Sequence, residues 1–156
     1  MNTNPGPQQS VATAQRLNDV ITRLRARLRV ESGQHSTGLT LTQLGVLASV
    51  VREGPVTAAR LATLERVSAQ SIAQSLAVLK AAGLVRSEPD AQDGRKKLMS
   101  ADPSATELVD KLLAGRASFL ARAIDQLVDP AERKDLDKAI ELLERLAGVE
   151  LDDGRI

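Results

Sequence analysis

The chain has 156 residues, 42% apolar and 26% charged, with a formal net charge of +1. That length suits one compact domain or a small domain with helical extensions, and the composition is too apolar for a disordered chain. No apolar run approaches the roughly 20 residues that cross a bilayer, and Met1 to Ser10 lacks the apolar core of a signal peptide, so a cytoplasmic location with no membrane partner is expected. Cysteine is absent, which excludes disulfides, thiol chemistry and Cys-type zinc sites. His35 is the only histidine and Phe119 the only aromatic residue. A His-rich metal site and base stacking on aromatic platforms are therefore excluded as well. No metal or other cofactor is expected.

In chain order, residues 1–10 read as a flexible N-terminus. Leu17, Val20, Ile21, Leu24 and Leu28 then recur at three- and four-residue intervals, which predicts a helix over about Val11 to Arg29 with one apolar stripe. Arg16, Arg23, Arg25, Arg27 and Arg29 crowd its remaining surface. Gly33 to Gly38 reads as a loop. Thr40-Leu-Thr-Gln43 has the form of a capping box opening a second helix, whose buried face is Leu44, Leu47, Val50 and Val51 and which ends at Gly54-Pro55. Thr57 caps a short helix carrying Leu61, Ala62 and Leu64. After a turn around Glu65 to Val67, Ser68 caps a further helix running to about Ala82, with Gly83 at the position just past its end. Leu84 to Pro89 and Lys97 to Ala101 read as two strands joined by a hairpin turn on Asp93-Gly94.

Two helices complete the chain. Asp102-Pro103 places an N-cap before a proline in the first helical position, and Leu108, Leu112, Phe119, Ala123, Ile124 and Leu127 run along this long helix. Asp129-Pro130, with Glu132 reaching back, repeats the device. Leu136, Ile140, Leu143 and Leu146 form the last apolar stripe, closed by Gly148, and 149–156 reads as a flexible C-terminus.

The order helix, helix, helix, strand, turn, strand predicts a mainly α fold with a β wing, a winged helix-turn-helix. Two short helices joined by a tight turn let the second stand proud and enter a major groove. On that helix Ile72, Leu76 and Leu79 cluster as core. Gln70, Ser71 and Gln74 face away, with Ser75 at the edge and Ser68 at the start. Gln pairs with adenine edges and Ser serves bases or phosphates. A plain solvent-facing helix would carry Glu and Lys, yet no acid occurs from Ser68 through Gly83. Arg66 and Lys80 suit phosphates, as do Thr57 and Arg86. Arg95, Lys96 and Lys97 sit at or beyond the hairpin tip, where a cation can enter a narrow A·T-rich minor groove. Charge is divided along the chain in the same sense. Residues 55–101 are net +3, residues 11–35 are net +3 and residues 102–156 are net −5.

The run from Ser68 to Arg86 resembles the recognition helix and first wing strand of the MarR family. Asp90-Ala-Gln-Asp93-Gly94-Arg95-Lys96 is similar to that family's wing signature of spaced aspartates followed by arginine. The element order matches over roughly residues 11–147. Ser100-Ala-Asp-Pro-Ser104 departs from the family's usual threonine and glycine, and the scarcity of aromatics is atypical.

The resemblance implies a homodimer, one recognition helix per half-site of double-stranded DNA, Arg95 in the minor groove, and Asp93 orienting the wing through a salt bridge. It assigns 11–36 and 102–148 to a helical dimerisation region and 39–101 to the DNA-binding domain. It also implies a small-molecule effector, whose pocket in this chain would be aliphatic, with His35 or arginines nearby. A transcriptional regulator, as a repressor on a pseudo-palindromic operator, is the expected function. The alternative is a winged-helix protein-interaction module without DNA binding, which acids on the helix and wing would favour. An enzyme is not expected, because Asp90 and Asp93 lie in a projecting turn with no nucleophile nearby.

Overall fold

The structure, a computed structural model, describes residues 7–149. The chain divides into two compact units, 1–117 and 118–156. In the first unit, α1 (Pro7–Glu31) is followed by a 3-10 turn at Gln34–Thr37, then α2 (Leu41–Glu53) and β1 (Val56–Thr57). Next come α3 (Ala58–Glu65), α4 (Ala69–Ala81), β2 (Val85–Pro89) and β3 (Lys97–Ala101). The helix α5 (Pro103–Leu127) completes this unit with its N-terminal part and enters the second with its last turns, where α6 (Arg133–Gly148) follows.

Local chemistry accounts for most of the boundaries. The Thr40 hydroxyl accepts from the Gln43 amide at 3.2 Å while Gln43 Oε1 accepts from the Thr40 amide at 2.9 Å, a closed capping box on α2. Thr57 and Ser68 cap α3 and α4 in the same way, accepting from the amides of Arg60 and Ser71. At the far end of α4, Gly83 has φ +72°, which a residue without a Cβ adopts freely. Its amide donates to the Lys80 carbonyl and that of Leu84 to the Leu79 carbonyl, so the last turn is closed by backbone alone. Asp102 caps α5, its carboxylate accepting from both the amide and the hydroxyl of Ser104. These two bonds, with the nearby Arg86 charge, hold its carboxyl below the usual carboxylate range.

The helix α1 begins at Pro7 rather than Val11, because proline is accommodated in a first helical turn. Residues 7–10 of the expected N-terminal segment are thus helical, and 1–6 lie outside the described residues. The expected C-terminal tail, 149–156, lies outside them except for Val149, which caps α6. The Gly33 to Gly38 loop holds the 3-10 turn, with both glycines left-handed. At the start of α6, Glu132 Oε2 does reach back to the Asp129 amide, at 3.1 Å. The helix itself begins only at Arg133, because Pro130, Ala131 and Glu132 form a preceding turn.

The sheet has three strands rather than two, in the order β1-β3-β2 and antiparallel throughout. β1 pairs Val56 with Met99 and Thr57 with Leu98, which ties the base of the wing to the residue that caps α3. Beneath the wing, Leu47, Val50, Leu61, Ile72 and Leu79 are all essentially inaccessible to solvent, with Val85 and Met99 closing the core from the sheet. Ala105 and Val109 of α5 join the same cluster.

Candidate nucleic-acid interface

The turn between α3 and α4 decides what α4 can present. Arg66, the C-cap of α3, sits at φ 53° and ψ 42°, the left-handed region, and is the only non-glycine residue with positive φ among those described. Its amide and that of Val67 return to the carbonyls of Thr63 and Ala62. The reversal is complete within Arg66 to Ser68, so α4 leaves at once in a new direction. A polar latch not foreseen from the sequence holds the same corner. Glu65, the last residue of α3, accepts a very short hydrogen bond from the hydroxyl of Ser49 on α2, and Ser49 in turn accepts from Arg52 at 3.2 Å. A Cβ built on Gly45 would lie 2.7 Å from Glu65 Oε2. Glycine at 45 is thus what lets the carboxylate lie against α2. No signal in the sequence joined these residues, because they lie on different helices.

On α4 the buried side is Ile72, Ser75, Leu76 and Leu79, and the outer side includes Gln70, Ala73, Gln74, Ala77, Val78 and Lys80. Gln70 and Gln74 are exposed, as the outward phase requires, whereas Ser71 is half-buried at the edge of that face. Ser75 is a correction. It is only 5% exposed, because at three residues past Ile72 and four before Leu79 it falls on the core stripe, and so it does not face the groove side. Ser68 stays exposed, with its oxygen engaged in the cap.

The wing tip is shaped by its aspartates. Asp90 Oδ1 accepts from the Gln92 amide at 2.9 Å, and Asp93 Oδ1 from the Arg95 amide at 3.2 Å. The Asp90 amide donates to the Lys96 carbonyl, and the Lys96 amide to the Asp93 carbonyl. The expected salt bridge of Asp93 is corrected: its side chain fixes the backbone of Arg95, and among the described residues it forms no ion pair. That orientation leaves the Arg95 guanidinium uncommitted. Arg66, Lys80, Arg86, Arg95, Lys96 and Lys97 are all exposed, and among the described residues none stands within ion-pair distance of a carboxylate. Thr57 is half-buried, its hydroxyl oxygen accepting from the Arg60 amide. No group of three or more metal-ligating side chains occurs among the described residues.

Behind α2 lies a cavity of about 430 Å³, lined in part by Arg25, Leu28, Leu44, Val109, Leu112 and Arg116. Arg116 donates from one terminal nitrogen to Gln34 Oε1 at 3.2 Å, and Gln34 is itself buried. The Nε of Arg116 is buried with no hydrogen-bond partner among the described residues. His35 is exposed and does not line this cavity.

The comparisons with known proteins agree with this architecture. A sequence model of the MarR family matches residues 37–96, from the 3-10 turn to the wing tip. An HTH-type transcriptional regulator of Mycobacterium tuberculosis is 33% identical over 127 residues, covering 81% of this chain and 87% of the relative. Rv1404 of M. tuberculosis superposes with a TM-score of 0.79 at 24% identity, over 92% of this chain and 97% of that one. A variant of MepR from S. aureus, solved bound to an oligodeoxyribonucleotide, shares the fold with a TM-score of 0.65 at 15% identity, over 86% of this chain and 97% of that one. With the turn, the outward helix and the wing all present, and with a relative this similar over most of both chains, the protein belongs to the MarR family of winged helix-turn-helix, DNA-binding transcriptional regulators.

Proposed function

We propose that the protein is a homodimeric repressor that lays one α4 in the major groove of each half-site of a pseudo-palindromic operator. The single observation that carries this reading is the acid-free outer face of α4 beside a set of exposed, unpaired cations. Gln70, Ser71 and Gln74 contact base edges, and Ser68 contacts bases or phosphates from the helix start. Arg66, Lys80, Arg86, Lys96, Lys97 and the Thr57 hydroxyl meet phosphates, and Arg95 enters the adjacent minor groove. With two-fold symmetry the half-sites lie one turn of B-DNA apart, about 10 bp.

The dimer is supported by apolar surface that a single copy leaves uncovered. In the first unit Val20, Ile21 and Leu24 of α1 are 40–44% exposed, and in the second α6 buries no residue, with Ile140, Leu142, Leu143 and Leu146 at 40–59%. Residues 11–36 and 102–148 form the dimerisation region in this reading, and 39–101 the DNA-binding domain. Release from DNA by a small effector is supported by the cavity behind α2. Its aliphatic walls and buried, unpartnered Arg116 Nε suit an anion with an apolar body.

The test is footprinting on the protein's own upstream region across a range of salt. Neutralising several phosphates makes binding steeply salt-dependent, and Arg95→Ala lowers that slope. Binding left unchanged by both Arg95→Ala and Gln74→Ala overturns the reading. Repression is checked with a reporter fused to the bound promoter, whose expression rises when the regulator is deleted.

A further inference from the structure

We infer that the major-groove part of each half-site is rich in A·T pairs, and that Ala73 and Ala77 read thymine methyl groups beside adenines read by Gln70 and Gln74. The inference rests on the groove assignment of α4 above and adds to it the chemistry of the bases. Four exposed residues, Gln70, Ala73, Gln74 and Ala77, stand at spacings of three and four and so share one ridge of α4. Ile72, Ser75, Leu76 and Leu79 are buried, so this ridge is the one the core leaves outward.

The ridge lacks the groups that recognise G·C pairs. Guanine shows two acceptors in the major groove, N7 and O6, and is read bidentately by the donor-only heads of Arg or Lys. α4 has a single cation, Lys80, in its last turn. Cytosine offers the N4 amino group, which Glu or Asp accepts from, and α4 carries neither residue. What the ridge does hold is complementary to the other pair. A Gln side chain donates from Nε2 to adenine N7 and accepts at Oε1 from the adenine amino group. The Cβ of an outward alanine is an apolar contact for the thymine C5 methyl, which would otherwise lie against water.

Geometry strengthens the chemistry. Alanine has no side chain beyond Cβ, so Ala73 and Ala77, one turn apart, let the helix axis approach the groove floor. Gln70 and Gln74, also one turn apart, stand beside them with longer arms. Alanine is the strongest helix former, and an exposed alanine in isolation reflects no more than that. Here two alternate with two glutamines on a ridge with no charged side chain. The wing fits A·T tracts flanking those positions: Asp93 holds the Arg95 amide at 3.2 Å, and a guanidinium entering the minor groove, as proposed above, is favoured where A·T tracts narrow it.

The test uses the full-length wild-type protein and a randomised duplex pool. Selection is expected to enrich A·T pairs at the positions facing α4, and enrichment of G·C pairs there overturns the inference. Replacing each thymine of the best site by deoxyuridine removes only the methyl. Affinity is expected to fall about fourfold per contacted thymine, the equivalent of one buried CH₂, and equal binding of the uracil duplex overturns the methyl contacts. Gln74→Arg, on an exposed position, is expected to move the preference at one base from adenine to guanine by roughly 5- to 150-fold. An unchanged preference removes Gln74 from the reading. Absence of wild-type binding to any duplex would overturn the groove assignment itself, a result distinct from a G·C-rich consensus.

Discussion

In the winged region Leu47, Leu61, Ile72 and Leu79 are each sealed inside one copy of the chain, whereas α6 has no buried residue and offers Ile140, Leu142, Leu143 and Leu146 to solvent. Both regions are helical and amphipathic, and both carry leucine at helical spacing. What separates them is the chain's own ability to supply a partner surface. A stripe met by neighbouring elements gives stability independent of concentration. A stripe left open, if a second copy covers it as proposed, gives stability that follows mass action.

The largest expected effect tests the sealed region. Leu61→Ala leaves a void where no solvent reaches, and is expected to cost about 2–5 kcal/mol. Urea melts at two protein concentrations should show the same loss at both. Leu143→Asp tests the open region. It should weaken dimerisation by about 1 kcal/mol per leucine, because Leu143 is 40% exposed in one copy and only that part remains to be buried, seen as a shift toward monomer in sedimentation. A dimer unaffected by Leu143→Asp would place the interface elsewhere.

A third change sharpens how the winged region is held. Gly45→Ala pushes the Glu65 carboxylate off Ser49, and is expected to destabilise by about 1 kcal/mol or less. The lost charge-assisted bond is partly offset by alanine's higher helix propensity. In a Glu65→Ala background the sign should reverse, and Gly45→Ala should stabilise by about 0.5–1 kcal/mol. The same sign in both backgrounds would show that no latch exists.

The smallest expected effect concerns Asp102. Its folded carboxyl is depressed by the two Ser104 bonds first and the Arg86 charge last, so its contribution is present above the ordinary carboxylate range and is lost as pH falls through the lower folded value. Asp102→Ala should lower the melting temperature at neutral pH. The gap from wild type should close in acid.

The features legible in the sequence are those whose partners lie two or three residues away. Thr40 with Gln43, Thr57 with Arg60, Ser68 with Ser71 and Asp102 with Ser104 are local capping bonds, and each marks its helix where the side chains predict. What escaped was non-local or phase-dependent. β1 is two residues long and shows no alternation, and its partner β3 lies some forty residues on. The Arg116–Gln34 bond crosses 82 residues. Ser75 stands at the edge of the outer face by sequence phase alone, yet the packing of Ile72 and Leu79 on either side encloses it in the core. The salt bridge that the resemblance implies for Asp93 gives way to a closer partner, the amide two residues ahead.

Arg66 brings a final consequence for anyone engineering this protein. A left-handed backbone costs a non-glycine residue roughly 1–2 kcal/mol, and glycine would take the same turn without that cost. Selection of variants by heat resistance alone should therefore favour Arg66→Gly. On the proposed reading the resulting variant would be sturdier and grip its operator less firmly, so thermostability and occupancy must be screened together at this corner.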